Sequence, residues 1–314
     1  MLKVSHLSKS YGERKIIEDL SFEAEKGKIY GFLGPNGAGK STTMNMITGY
    51  LAPGSGTILI NDISMIHDPK KARKQIGYLP EVPPLYPDLS VEENLSYAAE
   101  LKGLKGKDKK AELDRVCERM GLKYVRQHLV RQISKGYKQR TGLAQALLAD
   151  PEIIILDEPS SGLDPRQIAE MRELVRELKD EHTVIFSTHI LSEVDSLCDH
   201  VMVLSDGKLL ANDTPENLLS EVNAKQRLTM VIKGSSTAAE RIIKAAEGIE
   251  SWRIEREDAG SCTLKITAEA GKDLRELLSE KFSAEKMTVL ELSVQRTTLE
   301  EVYLDLTLLS GSPA

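Results

Sequence analysis

The chain has 314 residues, enough for two domains, and its 40% hydrophobic and 29% charged residues are typical of a globular protein with a buried core. A net charge of −6 gives the surface no broad attraction for nucleic acid. The sequence contains no run of about 18 apolar residues, so it predicts no membrane-spanning helix, and work at a membrane would need another chain.

Neither the N-terminal segment nor the cysteines indicate secretion or a metal site. The opening "MLKVSHLSKS" alternates polar and apolar residues and lacks the apolar segment of a signal peptide. Cys117, Cys198 and Cys262 are odd in number and far apart, which fits neither a disulfide framework nor a metal-ligand spacing. We therefore predict reduced, mostly buried thiols.

The first part of the chain predicts strands that lead into a helix. Residues 2–34 read as strands joined by turns at Gly12 and Gly27, and "GKIYGFLG" ends in a glycine loop. The helix "KSTTMNMITGYL" follows this loop, and "GTILINDISM" predicts another pair of strands.

Residues of about 82–135 change character and predict a mostly helical insert. Ser90 and Glu93 form a capping box ahead of "VEENLSYAAEL". The next helix, "KKAELDRVCERM", places four apolar side chains on one face at helical spacing. They are Leu113, Val116, Cys117 and Met120.

After the insert, apolar strands alternate with helices. The strand "EIIILDE", the helix "PRQIAEMRELVREL" and the strand "TVIFSTH" follow in order. "VMVLSDGKLLAND" predicts a hairpin that turns at Asp206 and Gly207. Thr214 then caps a helix with Pro215 at its first position. This alternation predicts an α/β fold whose parallel sheet is covered on both faces.

The periodicity restarts after about residue 220. Residues 221–314 read β-α-β-β-α-β, which suits a small ferredoxin-like α+β domain, and they end in the helix "TLEEVYLDLT". They contain no phosphate loop, metal-ligand spacing or carboxylate constellation. We therefore expect two domains, 1–220 and 221–314, of which the second is regulatory or supports a dimer.

The stretch "GPNGAGKS" fits the phosphate-binding pattern G-x-x-x-x-G-K-[ST]. Its glycines allow backbone N–H groups to surround phosphate oxygens, Lys40 offers a charge to the β- and γ-phosphates, and Ser41 offers a hydroxyl to Mg²⁺. A chance glycine turn is the weaker alternative, because a strand precedes the motif and a helix follows it. The candidate nucleotide-binding residues here are Gly34, Pro35, Asn36, Gly37, Ala38, Gly39, Lys40, Ser41 and Thr42.

Three further polar residues follow buried strands. Asp157 ends "IIILD", where it can hold Mg²⁺ through water, and Glu158 can polarise the attacking water as a general base. His189 ends "TVIFSTH" and can hydrogen-bond a γ-phosphate. An ordinary acidic pair and a structural histidine are the alternatives.

The stretch "ISKGYKQR" predicts a second phosphate-binding helix start. Ser134 is a natural N-cap, and Gly136 lies in the first turn of the helix "KGYKQRTGLAQALL". Because the phosphate loop already has its own helix, the anion met by this one is expected on another copy of the protein.

These motifs, in this order, resemble those of the ATP-binding cassette (ABC) ATPases over roughly residues 1–220. The resemblance implies a P-loop NTPase ABC cassette with a parallel core sheet, an antiparallel β subdomain and a helical insert. It makes Glu158 the catalytic base, His189 the switch histidine, and Asp164 of "SSGLDP" a residue at the dimer seam. Tyr11 matches the aromatic residue that stacks on adenine. The cassettes of this family pair head to tail, and the signature serine and glycine contact ATP held by the partner.

Two motifs depart from the common family pattern. Lys135 and Tyr137 flank the single Gly136 where a second glycine and a glutamine are usual. Glu81 of "IGYLPE" stands where the family usually has glutamine, and its carboxylate can still bind Mg²⁺ or orient a water. Together with "LAQAL" and the C-terminal helix, these motifs resemble the type-2 export branch, with its gliding-motility, nitrous-oxide-maturation and multidrug types.

The resemblance therefore implies the ATP-hydrolysing subunit of a transporter, with ATP and Mg²⁺ as cofactors. We expect a homodimer or paired cassette at the cytoplasmic face of the cell membrane, beneath membrane subunits encoded on separate chains. These subunits are expected to dock near residues 80–90, where four prolines hold Leu85 and Tyr86 outward; the alternative is that both pack under the insert.

Two other functions fit the sequence less well. A soluble ABC ATPase acting on ribosomes or DNA is the alternative, but the chain has one cassette, no sustained heptads and a negative charge. A small-molecule kinase would leave "ISKGYKQR" and "SSGLDP" unused. Selection of the cargo would reside mostly in the membrane subunits.

Overall fold

The computed structural model describes residues 1–223, 226–258, 260–295 and 298–310. It divides into two compact units, Met1–Pro215 and Glu216–Leu309. None of the helices within the described ranges is both long enough and apolar enough to cross a membrane.

The first unit alternates strands and helices. Its strands are β1 Leu2–Tyr11, β2 Arg14–Ala24, β3 Ile29–Leu33, β4 Ser55–Ile60, β5 Ile63–Ser64, β6 Ile76–Leu79, β7 Ile153–Asp157, β8 Thr183–Thr188, β9 His200–Ser205 and β10 Lys208–Asp213. Its helices are α1 Lys40–Ile47, α2 Pro69–Lys74, α3 Val91–Leu101, α4 Gly106–Arg119, α5 Lys135–Leu147, α6 Pro165–Leu178 and α7 Leu191–Leu197, with a 3₁₀ turn at Val130–Gln132.

The central sheet has the strand order β10-β9-β3-β8-β7-β6, and its strands from β9 to β6 run parallel. β3, β7 and β8 are buried along their whole length because both faces are covered. Alternate residues of β7 point to opposite faces of the sheet. Ile154 and Leu156 pack with the insert, whereas Ile153 and Ile155 pack with β1 and β2. The sheet confirms the predicted parallel core.

The antiparallel β subdomain is also present, with the strand order β2-β1-β4-β5. β9 and β10 form the predicted hairpin, in which Ser205 pairs with Lys208 across the turn at Asp206 and Gly207. This architecture confirms the P-loop cassette expected from the sequence.

The helical insert forms as its spacing predicts. The Ser90 side chain accepts from the Glu93 backbone N–H, and the Glu93 carboxylate accepts from the Ser90 N–H at 2.7 Å, which completes the capping box at the start of α3. The apolar face of α4 and the residue after it is buried, as expected for Leu113, Val116, Cys117 and Met120.

The loop at residues 80–90 corrects one expectation. Leu85 does not point outward but lies half-buried against the core that contains α3, because its alkyl side chain gains free energy by leaving water. Asn94 of α3 fixes the neighbouring backbone, since its Oδ1 accepts from the Tyr86 N–H at 2.8 Å and its Nδ2 donates to the Tyr86 carbonyl at 3.1 Å. Tyr86 itself is exposed, and so is Val82.

All the cysteines lie in described segments and are free thiols. Cys117 and Cys262 are buried and Cys198 is half-buried. Burial raises the pKa of each thiol above its ordinary value, because a thiolate is poorly solvated there. The expectation of mostly buried thiols is confirmed.

The second unit is built on one antiparallel sheet. Its elements are α8 Pro215–Asn223, β11 Arg227–Lys233, α9 Ser236–Lys244, β12 Ile249–Asp258, β13 Ser261–Ala268, α10 Arg275–Ala284, β14 Thr288–Gln295 and α11 Leu299–Ser310. The strand order is β12-β13-β11-β14, with β-α-β-β-α-β connectivity from β11 to β14. One face of the sheet packs against α9 and α10. α8 begins at Pro215, as expected.

Candidate functional site

The glycine loop between β3 and α1 has a backbone that side chains would obstruct. A Cβ on Gly34 would lie 2.3 Å from the Leu204 carbonyl oxygen. Gly39 has φ of 105°, in the left-handed region, and its Cβ would lie 2.3 Å from Ile17 Cδ1. The loop therefore requires glycine at both positions, and it brings its chain close to β2 and β9 without side chains in the way.

Lys40 places a buried positive charge inside this loop. Its side chain is only 5% exposed. Nζ donates to the carbonyl oxygens of Gly34 at 2.7 Å and Pro35 at 3.3 Å, and it lies 3.5 Å from Glu158 Oε1. A buried ammonium held by neutral carbonyls and one carboxylate suits an anionic ligand such as a phosphate group.

Hydroxyl groups and a carboxylate meet where β7 ends. Asp157 is 4% exposed, and its Oδ1 accepts from Ser41 Oγ at 3.1 Å and from Ser187 Oγ at 2.5 Å. Asp157 and Ser187 are paired across β7 and β8. Ser41 and Asp157 provide hard oxygen ligands of the kind that Mg²⁺ prefers, so the residues present fit this ion.

Glu158 is held by three different groups. Its backbone N–H donates to Ser187 Oγ at 3.0 Å, and its φ of 47° lies in the left-handed region, uncommon for a residue with a Cβ. Its Oε2 lies 2.8 Å from His189 Nδ1, while Oε1 faces Lys40. The Glu158 side chain is 14% exposed and that of His189 is 50% exposed. A carboxylate between a lysine and a histidine is positioned to take a proton from water.

Lys40, Ser41, Glu158 and His189 line one cavity of about 550 Å³, with Asp157 buried behind Ser41. Predicted residues in its wall are Tyr11, Asn36, Gly37, Gly39, Lys40, Ser41, Thr42, Glu81, Glu158 and His189. Arg14, Ile16 and Ser161 also line it and were not singled out in the sequence. Tyr11 is exposed, so its ring is available for a planar ligand, with Lys9 Nζ 5.6 Å from the ring centre.

Glu81 connects this cavity to α5. Its Oε1 accepts from Ser161 Oγ at 3.2 Å, and its backbone carbonyl accepts from Gln139 Nε2 at 3.0 Å. Gln139 is fully buried, and its Oε1 has no hydrogen-bond partner within the described parts of the chain. Neither Gln139 nor Ser187 was singled out in the sequence, since only the strand and helix packing reveals their partners.

Three other predicted residues, Ser134, Gly136 and Asp164, lie together in a different cavity of about 430 Å³. Ser134 caps α5 by accepting from the Tyr137 N–H at 3.3 Å, and Asp164 caps α6 by accepting from the Gln167 N–H at 2.9 Å. Gly136 lies between them, where a Cβ would be 2.9 Å from the Gln167 side chain. Two helix starts thus face this cavity, but it shares no lining residue with the one around Lys40.

Comparisons with known proteins agree with this arrangement. The family model described as ABC transporter matches residues 17–161. The bacitracin transport ATP-binding protein BcrA of Bacillus licheniformis is 43% identical over 227 residues, which cover 72% of this chain and 73% of that protein. The linearmycin resistance ATP-binding protein LnrL of Bacillus subtilis is 32% identical over 311 residues, which cover 98% of each.

A solved structure shares the fold. It is the dimeric post-hydrolysis state of the ATP-binding cassette MJ0796 bound to ADP and Pi, which aligns with a TM-score of 0.63 at 25% identity. The alignment covers 68% of this chain and 98% of that one. The resemblance noted in the sequence is confirmed, and the chain therefore belongs to the ABC transporter family as one of its ATP-hydrolysing cassettes.

Proposed function

We propose that this chain powers an exporter of the type-2 branch by binding ATP and Mg²⁺ and pairing head to tail with a second cassette. The observation that carries the proposal is the separation of two phosphate-binding surfaces. One contains Lys40, Ser41 and Glu158, and the other presents Ser134 and Gly136. A single copy does not use both on one nucleotide, whereas two copies facing each other complete two sites.

The chemistry follows from the residues at the ends of β7 and β8. Ser41 Oγ and Asp157 Oδ1 would hold Mg²⁺, which supplies charge neutralisation for the phosphates when bound. Lys40 exchanges its carbonyl partners for phosphate oxygens. Glu158 accepts a proton as the water oxygen forms a bond to the γ-phosphorus and the bond to ADP breaks. His189 orients the Glu158 carboxylate and would hydrogen-bond the γ-phosphate.

Glu158→Gln tests the assignment of the base. The amide keeps the size of the side chain but cannot take a proton, so the variant should bind ATP, hydrolyse it about 10²- to 10⁴-fold more slowly, and accumulate an ATP-dependent dimer. Lys40→Ala serves as the contrasting variant, because it should weaken nucleotide binding itself. Near-normal turnover by Glu158→Gln contradicts the proposed role.

A mixture of two inactive variants tests pairing in trans. In a heterodimer of Lys40→Ala and Ser134→Arg chains, one composite site keeps both its lysine and its serine, so activity should return on mixing. Ser235→Arg is a matched control, because Ser235 also caps a helix, α9, in the second unit. ATP-dependent dimerisation that persists in Ser134→Arg homodimers argues against the role of Ser134 in trans.

We propose that the membrane subunits, at the cytoplasmic face of the membrane, dock on residues 80–90. The apolar contacts available there are Val82, 78% exposed, and Tyr86, 52% exposed, whose ring stands edge-on to that of Tyr97 at 5.6 Å. Because Glu81 lines the nucleotide cavity, the loop also offers a route from ATP to the membrane partner. Exposed aromatic anchors of this kind often contribute about 2 kcal/mol or more at an interface.

Val82→Ser combined with Tyr86→Ser tests this surface. The double variant should fold and bind ATP while losing co-purification with its membrane subunits. Tyr124→Ser is the control, since Tyr124 is 84% exposed at another part of the insert. Full assembly by the double variant means that the docking surface lies elsewhere.

Because BcrA and LnrL are named for bacitracin transport and linearmycin resistance, antibiotics are the cargo class to test first.

A further inference from the structure

A cluster of possible ligands lies at the end of the central sheet opposite the nucleotide cavity. Asp150 precedes β7, while Glu181 and His182 directly precede β8. β7 and β8 are parallel neighbours, with Ile153 paired to Thr183, so the segments before them meet at the amino ends of the strands. The length of β7, about 17 Å at 3.3 Å per residue, separates this cluster from Asp157.

The three side chains converge closely enough to hold one ion. One ligand atom from each of Asp150, Glu181 and His182 lies within 4.8 Å of the other two. Glu181 Oε2 is 3.6 Å from His182 Nε2. Both carboxylates are exposed, so an ion can reach them from solvent, whereas His182 is only 2% exposed.

The hydrogen bonding of His182 leaves one ring nitrogen directed at the carboxylates without a partner. Its Nδ1 lies 2.7 Å from the Pro151 carbonyl oxygen, and because a carbonyl only accepts, Nδ1 carries the hydrogen. In the neutral ring, Nε2 therefore has a lone pair. This atom is buried and lacks a hydrogen-bond partner among the described residues. An imidazole fixed by a backbone carbonyl, with its other nitrogen free, is the usual arrangement of a metal-binding histidine.

Nearby arginines explain part of the cluster but not all of it. Arg119 donates to Glu181 Oε2 at 2.6 Å, and Arg115 is close enough to interact electrostatically with Asp150 and Glu181. The pair with Arg119 accounts for Glu181 without an ion. It does not account for a buried Nε2 at 3.6 Å from the carboxylate, too far for a hydrogen bond.

We propose that Asp150, Glu181 and His182 bind a divalent transition-metal ion of the Zn²⁺ class. One imidazole nitrogen and two carboxylate oxygens match the ligand types of Zn²⁺, whereas Mg²⁺ and Ca²⁺ favour oxygen ligands alone. The ion joins the segments that enter β7 and β8 and satisfies Nε2. To bind the ion, Glu181 must break its ion pair with Arg119, so the metal and the arginine compete for this carboxylate.

The test uses the full-length chain, stripped of metal and kept in excess Mg²⁺ so that the nucleotide-site oxygens are occupied by a hard ion. Zn²⁺ binding is followed by calorimetry and by the unfolding temperature, and Co²⁺ binding by visible absorption. We expect one ion per chain, a higher unfolding temperature with Zn²⁺, and d–d bands from Co²⁺.

Asp150→Asn and Glu181→Gln should each weaken binding by about 10-fold or more while keeping the fold, because both side chains are exposed. His182→Gln should abolish binding, and the two carboxylate variants decide the case if it does not fold. Arg119→Ala should tighten binding, because it releases Glu181.

Two control variants test other possible sites of binding. Asp19→Asn alters the exposed pair of Asp19 with His6, whose Nδ1 lies 2.7 Å away, and His189→Asn alters the nucleotide cavity. Neither should change Zn²⁺ affinity. The proposal is overturned if Zn²⁺ and Co²⁺ give no signal with the folded chain, or if the signal survives unchanged in Asp150→Asn and Glu181→Gln.

Discussion

Replacing Ser187 by alanine removes one hydroxyl that joins the two acidic residues at the end of β7. Its Oγ donates to Asp157 Oδ1 at 2.5 Å and accepts from the Glu158 N–H at 3.0 Å. Ser187 is fully buried, so alanine leaves that N–H and one lone pair of the Asp157 carboxylate without their partner. The change tests whether this hydroxyl holds Glu158 in place.

The expected loss has two parts. A hydrogen bond to a charged group contributes about 1.5–3 kcal/mol, so the free energy of unfolding should fall by about 2 kcal/mol. Asp157 keeps its contact with Ser41, but the Glu158 backbone N–H loses its hydrogen-bond acceptor. A misplaced carboxylate should lower kcat by about 10- to 100-fold. KM for MgATP should change less, because Lys40 and the glycine loop are untouched.

Thr188→Val provides a matched control on the same strand. Thr188 is also buried, and its Oγ1 donates to Glu193 Oε2 at 2.6 Å and accepts from the Ile190 N–H at 3.0 Å. Valine therefore removes an equivalent pair of hydrogen bonds without touching Asp157 or Glu158. Chemical denaturation measures the loss of stability in both variants, and steady-state hydrolysis separates kcat from KM.

The comparison decides between a positioning role and a purely structural one. We expect similar losses of stability from the two variants but a clearly larger fall in kcat for Ser187→Ala. Equal falls in kcat, or wild-type kcat in Ser187→Ala, would refute the reasoning.

Three other outcomes are expected. The cysteines should react slowly with a thiol reagent in the native protein and fully after unfolding, because burial keeps them protonated; fast native labelling contradicts this. Arg126 holds the pKa of Glu92 below its usual 4.5, so its ionisation stabilises the fold at neutral pH, and this contribution disappears as the pH falls below 4.5. Glu92→Gln should therefore lower the free energy of unfolding at pH 7 by about 0.5–1 kcal/mol and flatten its dependence on acid, as denaturation at several pH values would reveal. A folded chain ending at Ser220 should keep its ATP affinity. Loss of ATP binding in this truncated chain would contradict the expectation that residues 221–314 take no part in the chemistry.

Features encoded by local spacing were predictable from the sequence. The phosphate loop, the capping box at Ser90, the hairpin at Asp206 and Gly207, and the apolar face of α4 each depend on residues close together in the chain. Their spacing determines backbone geometry directly, so one sequence suffices to recognise them. Because β7 and β8 are parallel neighbours, Asp157 at the end of β7 and His189 just after β8 lie at the same edge of the sheet.

Features that depend on packing between distant segments were missed. Ser187 was not singled out because a serine in an apolar strand becomes informative only when its pairing with Asp157 is known. Leu85 was expected to point outward because prolines stiffen its loop, yet prolines fix the backbone and not the direction in which the core lies. His182 indicates a possible metal site only because Asp150, which precedes a different strand, lies close to it and to Glu181.

The left-handed backbone of Glu158 has a consequence for how the sequence can change over generations. Glycine adopts φ of 47° without the steric penalty of a Cβ, a difference of about 1 kcal/mol. Both glutamate codons become glycine codons by one base change, so a single mutation can relieve this backbone strain while removing the proposed base. Copies released from the need to hydrolyse ATP should drift toward glycine here. Glycine at this position would then mark relatives that bind ATP without hydrolysing it.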